Sequence, residues 1–314
     1  MPQRPDHNAR RAAILSARPE VRQLVGPTAV TACLGIGVIV LQFGLAALLA
    51  RQPLWMLLVA SFCIGGFAVH CLNCIVHEAS HNLVFERAAL NKILAIAVNV
   101  PSLVPSAMAF RHYHLLHHHQ FGVRGMDADI PADWEVRLVQ NSSLRKLAWL
   151  LLLPVSYGLV HPCHVRARLP FDIWLIGNVA AIAVAWVAVC WFLGWHAVAY
   201  LLLSTYFAVG PHPAGAHILQ EHIAFDGGDG MASYYGPINL MSLNLGFHLE
   251  HHDMPAIAGW RLPALRRTAP EFYETHYRHK SRVMGLWRFV FDPGIGLNSR
   301  PIRDLTVRSA GVTA

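Results

Sequence analysis

Charge is what this chain has least of. Charged residues make up 14% of its 314 positions and hydrophobic residues 54%, where soluble domains carry about 25% charged residues. The deficit excludes an ordinary water-soluble domain and implies a surface that largely faces lipid. Lysine is scarce, 3 residues against 22 arginines, the bias a GC-rich bacterial genome produces. Other absences narrow the function. There is no Gly-rich strand–turn–helix for a dinucleotide and no haem or iron–sulfur motif, so electrons for any redox chemistry must come from a partner. No nucleic-acid motif accompanies the net charge of +7, which suits a basic face beside anionic head groups instead. No charged cap with a short apolar core opens the chain, so no secretory signal is expected. The 6 cysteines lie nearly all in apolar stretches; Cys71 and Cys74 form a CxxC without a second one and read as buried structural thiols.

Long apolar runs are abundant. Four stretches of roughly 20 residues can cross a hydrocarbon core: 28–50, 54–76, 173–193 and 197–218. Arg51-Gln52-Pro53 and Gly194-Trp195-His196 are too short to be anything but tight turns, so the spans form two hairpins. Of 25 positive charges only Arg51 falls in such a turn, and the positive-inside rule makes the other side cytoplasmic. The expected fold is an all-α integral membrane protein with four transmembrane helices in two hairpins and a cytoplasmic helical cap, 77–172 and 219–314. Residues 1–27 form an amphipathic N-terminal segment, helical over 9–24 with Ile14, Val21 and Leu24 on one face. The apolar stretches 90–108 and 147–160, broken by Pro101, Pro105 and Pro154, read as half-immersed or interfacial helices.

Against this background stand 20 histidines. Eight fall in three clusters: His77-Glu78-Ala79-Ser80-His81, His114-Leu115-Leu116-His117-His118 and His248-Leu249-Glu250-His251-His252. On a helix, residues three and four apart share a face, so each cluster aims two or three imidazoles at one point. Eight ligands exceed any single ion, since zinc closes at four; two ions are implied, with iron the economical choice. A ninth ligand is expected where the last span ends, His222 by preference and His217 in reserve. Glu78, Asp127, Asp129, Glu221, Glu250 and Asp253 crowd the same positions, and metal-bound histidines commonly donate their second N–H to a carboxylate. Isolated histidines such as His7, His70, His161, His164, His196, His276 and His279 read as surface or satisfied core residues.

Nearly the whole chain resembles the membrane fatty-acid desaturase superfamily, and within it the sphingolipid Δ4-desaturase (dihydroceramide desaturase) family. Besides the three clusters, the resemblance is carried by Arg10-Arg11-Ala12-Ala13-Ile14-Leu15, Met126-Asp127-Ala128-Asp129-Ile130-Pro131, Gly210-Pro211-His212-Pro213, Gly215-Ala216-His217, Glu221-His222, Tyr234-Tyr235-Gly236-Pro237-Ile238-Asn239 and Asp253-Met254-Pro255. It implies a non-haem di-iron enzyme that uses O2 and two electrons to remove two hydrogens from a saturated lipid chain. The implied substrate is an N-acyl dihydroceramide, desaturated trans between C4 and C5, with C4 hydroxylation or fatty-acyl desaturation as alternatives on the same scaffold. It also implies an external electron donor, cytochrome b5 or a ferredoxin. Tyr234, Tyr235, Asn239 and Asn244 are expected to help close the site over the sphingoid chain. The membrane is the bacterial inner membrane for a bacterial chain and the endoplasmic reticulum for a eukaryotic one.

Two rivals remain at this stage. His77-Glu78-Ala79-Ser80-His81 also matches HExxH, in which two histidines bind zinc and the glutamate is the general base of a protease. A metal-storing or lipid-sensing membrane protein would equally carry clustered histidines.

Overall fold

A computed structural model describes residues 6–226 and 230–303. Helices dominate it. Four are long and apolar enough to cross a bilayer: α2 (Val30–Leu49), α3 (Leu54–Ser80), α7 (Ser143–Cys163) and α8 (Ile173–Phe192). They are as many as the sequence reading expects, but not the same four. The stretch expected at 197–218 is a 15-residue helix, α9 (Trp195–Val209), about 22 Å long at 1.5 Å per residue. Gly210, Pro211 and Pro213 end it, since proline lacks the N–H that would continue the ladder. Conversely α7 runs through Pro154, and its backbone widens to a π-helix over Ser156–Val160 directly afterwards.

Their apolar faces point outward. Leu48, Val184, Val187, Trp191 and Phe192 are all more than two-thirds exposed, the inverse of a soluble helix and what a hydrocarbon solvent requires. The inner faces meet around α3, whose Leu72, Ile75, Val76 and Ala79 join Val98, Ala107 and Met108 in one buried cluster.

Between α3 and α7 the chain makes the bend that delivers the second histidine cluster. Helix α4 (Ala88–Ser102) meets α5 (Ala107–Gln120) at 118°, with Pro101 and Pro105 at the break. Buried Asn99 supplies the missing bonds there: its Oδ1 accepts from Ser106 N at 3.1 Å, Ala107 N at 3.2 Å and Asn178 Nδ2 at 3.0 Å. One side chain thus satisfies amides that a helix start leaves unpaired.

The remaining elements cover the histidine end. They are α1 (His7–Ala17), α6 (Asp133–Val139), α10 (His217–His222), α11 (His248–Asp253), α12 (Leu262–Thr268) and α13 (Arg282–Phe291), with a short parallel pair, β1 (Ser233–Tyr234) and β2 (Arg278–His279). The N-terminal segment turns its amphipathic face inward. Its Ile14 and Val21 are fully buried against Leu249, Met254, Ile257, Leu265 and Tyr273, so its apolar face is used on the third cluster's own surroundings.

Candidate metal centre

Four chain segments end at one place. The last turn of α3 brings His77 and His81, α5 brings His114, His117 and His118, α10 brings His222, and α11 brings His248, His251 and His252. The rings sort into two adjoining sets. In the first, one nitrogen from each of His77, His81, His114, His118 and His251 lies within 4.8 Å of all the others; in the second the same holds for His117, His222 and His252. His248 joins the second through His222, Nε2 to Nε2 at 3.1 Å. The sets touch where the rings of His118 and His252 stack at 4.2 Å between centroids.

The closest approaches are between like atoms. His81 Nε2 and His118 Nε2 face His114 Nε2 at 2.9 and 3.1 Å, and His251 Nε2 faces His118 Nε2 at 3.2 Å. A neutral imidazole Nε2 is either a donor or an acceptor, so hydrogen bonds alone hold these four atoms only with unlike tautomers on neighbouring rings. A cation accepting their lone pairs satisfies every one of them. All-imidazole donors of this kind suit iron, zinc or copper.

Electrostatics favour the neutral ligand form. Burial, with neighbouring histidines, holds His114, His118, His222, His248, His251 and His252 well below the ordinary imidazole range. Burial alone pushes His117 down too, but Asp127 and Asp129 outweigh it and raise the ring. His117 Nδ1 donates to Asp127 Oδ1 at 2.9 Å, and Asp127 Oδ2 accepts from Gly122 N at 2.7 Å, an arrangement that fixes the ring's orientation and frees Nε2. Asp129 stands 3.5 Å from His117 Nδ1 and 3.8 Å from His222 Nε2.

A model of the fatty acid desaturase family matches residues 53–282. The chain is also similar to named relatives along nearly its whole length. It is 37% identical over 297 residues to a sphingolipid Δ4-desaturase of Drosophila melanogaster, covering 94% of this chain and 91% of that one. To a sphingolipid Δ4-desaturase/C4-monooxygenase of Homo sapiens it is likewise 37% identical, with the same coverage. A sphingolipid Δ4-desaturase of Schizosaccharomyces pombe is 35% identical over 305 residues, 93% of this chain and 83% of its own.

The chain belongs to the fatty acid desaturase family. It is therefore an oxidoreductase, and the protease alternative fails on geometry as well. A desaturase has no need of the glutamate of HExxH as a base, and Glu78 is not free to be one. Its Oε1 accepts from Gly259 N at 2.6 Å and its Oε2 from Thr31 Oγ1 at 2.8 Å. Glu78 thus ties α2 and α3 to the cap rather than orienting a histidine ring.

The other expected acids divide likewise. Glu221 Oε2 lies 3.5 Å from His248 Nδ1, and burial pushes its carboxyl up to about 8 despite nearby Arg282. Glu250 turns away from the rings and accepts from Ser233 Oγ at 2.9 Å and Tyr235 OH at 2.7 Å. Asp253 accepts from His7 Nδ1 at 2.8 Å and from Arg10 Nε at 3.0 Å, while its carbonyl takes Arg11 Nε at 2.8 Å. So His7 is no surface residue: it is buried, its ring 5.3 Å from that of His252. The signal available was Arg10-Arg11, whose function the sequence left unassigned.

His217 and His222 part company. His222 enters the second set, whereas His217 bonds back to Ala214 O at 3.0 Å through Nδ1 and rests against His70 at 4.6 Å. The residues expected to contact substrate mostly brace the loop before the third cluster. Asn239 Nδ2 donates to Tyr234 O and its Oδ1 accepts from Gly246 N at 3.0 Å, while Asn244 Nδ2 donates to Gly259 O at 3.1 Å. A Cβ on Gly246 would stand 2.3 Å from Asn239 Oδ1, so this clasp needs glycine there. Tyr234 is buried beneath Arg282, and Tyr235 packs under Arg266, 3.7 Å from guanidinium to ring centre. From the same run Ser242, Leu243 and Leu245 line a small cavity with His77 and His251.

Proposed function

We propose that this chain is an O2-dependent di-iron lipid desaturase that places a trans C4–C5 double bond in the sphingoid chain of a dihydroceramide-like lipid. The convergence of nine imidazoles in two adjoining sets is the observation that carries it. His77, His81, His114, His118 and His251 would hold one iron, and His117, His222, His248 and His252 the other. His217, spent on Ala214, is left out. When bound, the irons supply the O2 chemistry that removes two hydrogens from the saturated chain. Burial keeps the rings other than His117 neutral, Asp127 aims His117 by accepting from its Nδ1, and the enclosed site excludes water from the reacting carbons. Electrons come from an external donor of the cytochrome b5 or ferredoxin type, because the chain carries no motif for a redox cofactor of its own.

A two-hairpin topology is part of this proposal. His196 Nδ1 lies 3.1 Å from Ala50 O, which pairs the two tight turns at one end, remote from the histidines. Helix α7 has both ends on the opposite side: Lys146 Nζ donates to Asp292 O and Ile295 O, and Arg166 N donates to Gly125 O. It lies along the interface, and α2, α3, α8 and α9 cross. The shortness of α9 is tolerated because protein rather than lipid surrounds the loop that follows it. The rings then lie on the cytoplasmic side with the basic residues.

The human relative's name couples desaturation with C4 monooxygenation, which makes hydroxylation the second reading. Both reactions start with loss of one hydrogen and differ in the fate of the carbon radical. A host lacking such enzymes, expressing this chain and fed dihydroceramide, should accumulate ceramide two hydrogens lighter, resolved by mass spectrometry. A product that only gains oxygen would assign the hydroxylase, and double bonds confined to ordinary acyl chains would remove the sphingolipid assignment.

A further inference from the structure

Beneath the metal centre lies a second polar cluster that the chemistry above does not use. His70 sits seven residues before His77 on α3, on the same helical face. Its Nε2 is 3.2 Å from Ser242 Oγ, and its ring rests on His217. Glu221 and Arg282 stand beside the metal-centre histidines: Arg282 Nη2 is 3.6 Å from Glu221 Oε1, and Glu221 Oε2 is 3.5 Å from His248 Nδ1. All three of His70, Glu221 and Arg282 are more than nine-tenths buried. Each also keeps one polar atom without a hydrogen-bond partner among the described residues: His70 Nδ1, Glu221 Oε1 and Arg282 Nη1.

That combination has a cost. A buried, unpaired donor on a guanidinium or an unpaired carboxylate oxygen is destabilising, and more so than a neutral group. Arg282 meets Glu221 only as an ion pair, Nη2 to Oε1 at 3.6 Å, which is beyond hydrogen-bond length and leaves Nη1 open to a further acceptor. Unsatisfied donors and acceptors buried beside a reaction centre are what a polar ligand group completes.

The position selects among lipid substrates. In an acyl chain oxidised at its middle, the polar head lies many bonds from the reacting carbon, and polar groups next to the metal centre would meet only methylenes. In an N-acyl amino alcohol oxidised at C4, the C3 hydroxyl is attached to the neighbouring carbon and the amide nitrogen to the next. Those groups must enter the protein interior with the reacting carbon and need partners there.

Resting on the sphingolipid reading above, we infer that His70, Glu221 and Arg282 form the pocket that recognises the hydroxyl and amide of the sphingoid head and so set C4 at the metal centre. Arg282 Nη1 donates to the ligand's oxygen, Glu221 Oε1 accepts from its O–H or N–H, and His70 serves from the membrane side.

The test compares N-octanoyl dihydrosphingosine with its 3-deoxy analogue, on the wild type and on Arg282→Lys and His70→Gln. Affinity is read on metal-free protein with a fluorescent N-acyl dihydrosphingosine displaced by each lipid, and KM and kcat on the iron-loaded enzyme. In the wild type the 3-deoxy lipid should bind about 10- to 100-fold more weakly, the weight of one hydrogen bond to a charged group. Both variants should retain two metals per chain and lose that discrimination, mainly in KM. If Arg282→Lys does not fold, His70→Gln alone carries the comparison. Variants with a full metal complement that still discriminate like the wild type would overturn the assignment. A wild type that binds neither lipid yet desaturates acyl chains would overturn the sphingolipid reading itself, a separate and distinguishable failure.

Discussion

Asp253 shows how much a single buried carboxylate organises here. It lies fully buried at the end of the third cluster and receives His7 and Arg10, with Arg11 on its carbonyl. Removing one partner of a buried ion pair strands the other, so Arg10→Ala should lower the unfolding free energy by roughly 2–3 kcal/mol. The loss should appear as a lower Tm in detergent and as weaker retention of the metal proposed at His252. Unchanged Tm and metal content would mean that α1 is dispensable for the site. The three clusters were legible in sequence because ligand spacing of three and four residues is a local property of a helix. His7 and Arg282 were not, since their roles depend on partners 246 and 61 residues away. Glu78 illustrates the converse: its place inside HExxH suggested a base or a ring partner, and only the fold reveals that Thr31 and Gly259 occupy both of its oxygens.

Among the elements, the 118° bend between α4 and α5 does most to aim the second cluster. Pro101 and Pro105 announced a break, but not its angle, because the angle is set by what Asn99 bonds on either side. Asn99→Ala would leave Ser106 N, Ala107 N and Asn178 Nδ2 without that acceptor. At about 1–3 kcal/mol for each buried donor left unpaired, the variant should lose several kcal/mol of stability, and it should lose metal before global unfolding. Retention of both metals up to the wild-type Tm would show that α5 is held independently of the bend. Proline misled at Pro154, where a π-helical widening lets α7 continue, and the apolar run after residue 197 misled in the other direction. Hydropathy sees composition, while Gly210, Pro211 and Pro213 decide where α9 stops.

For the molecule as a whole, the proposed metal assignment links metal binding to folding through the buried rings. Without metal, burial and neighbouring charges push His81 down to about 3 and hold His114, His118, His222, His248, His251 and His252 well below the ordinary imidazole range, against about 6.5 in an unfolded chain. The unfolded state therefore binds more protons between those values, so stability falls as pH drops through about 6.5 and continues to fall towards 3. Metal-free protein should melt at markedly lower temperature at pH 5 than at pH 7.5, and metal-loaded protein should lose less until acid strips its ligands. Equal melting of the metal-free protein at both pH values would contradict this linkage. The count of metal ions is the most direct test of the two-set assignment. Protein purified anaerobically from iron-rich cells should contain two irons per chain by elemental analysis. His217→Ala should keep both, and His222→Ala should fall towards one. A wild type with a single zinc and no iron, or a His222→Ala variant with an undiminished pair, would contradict the account.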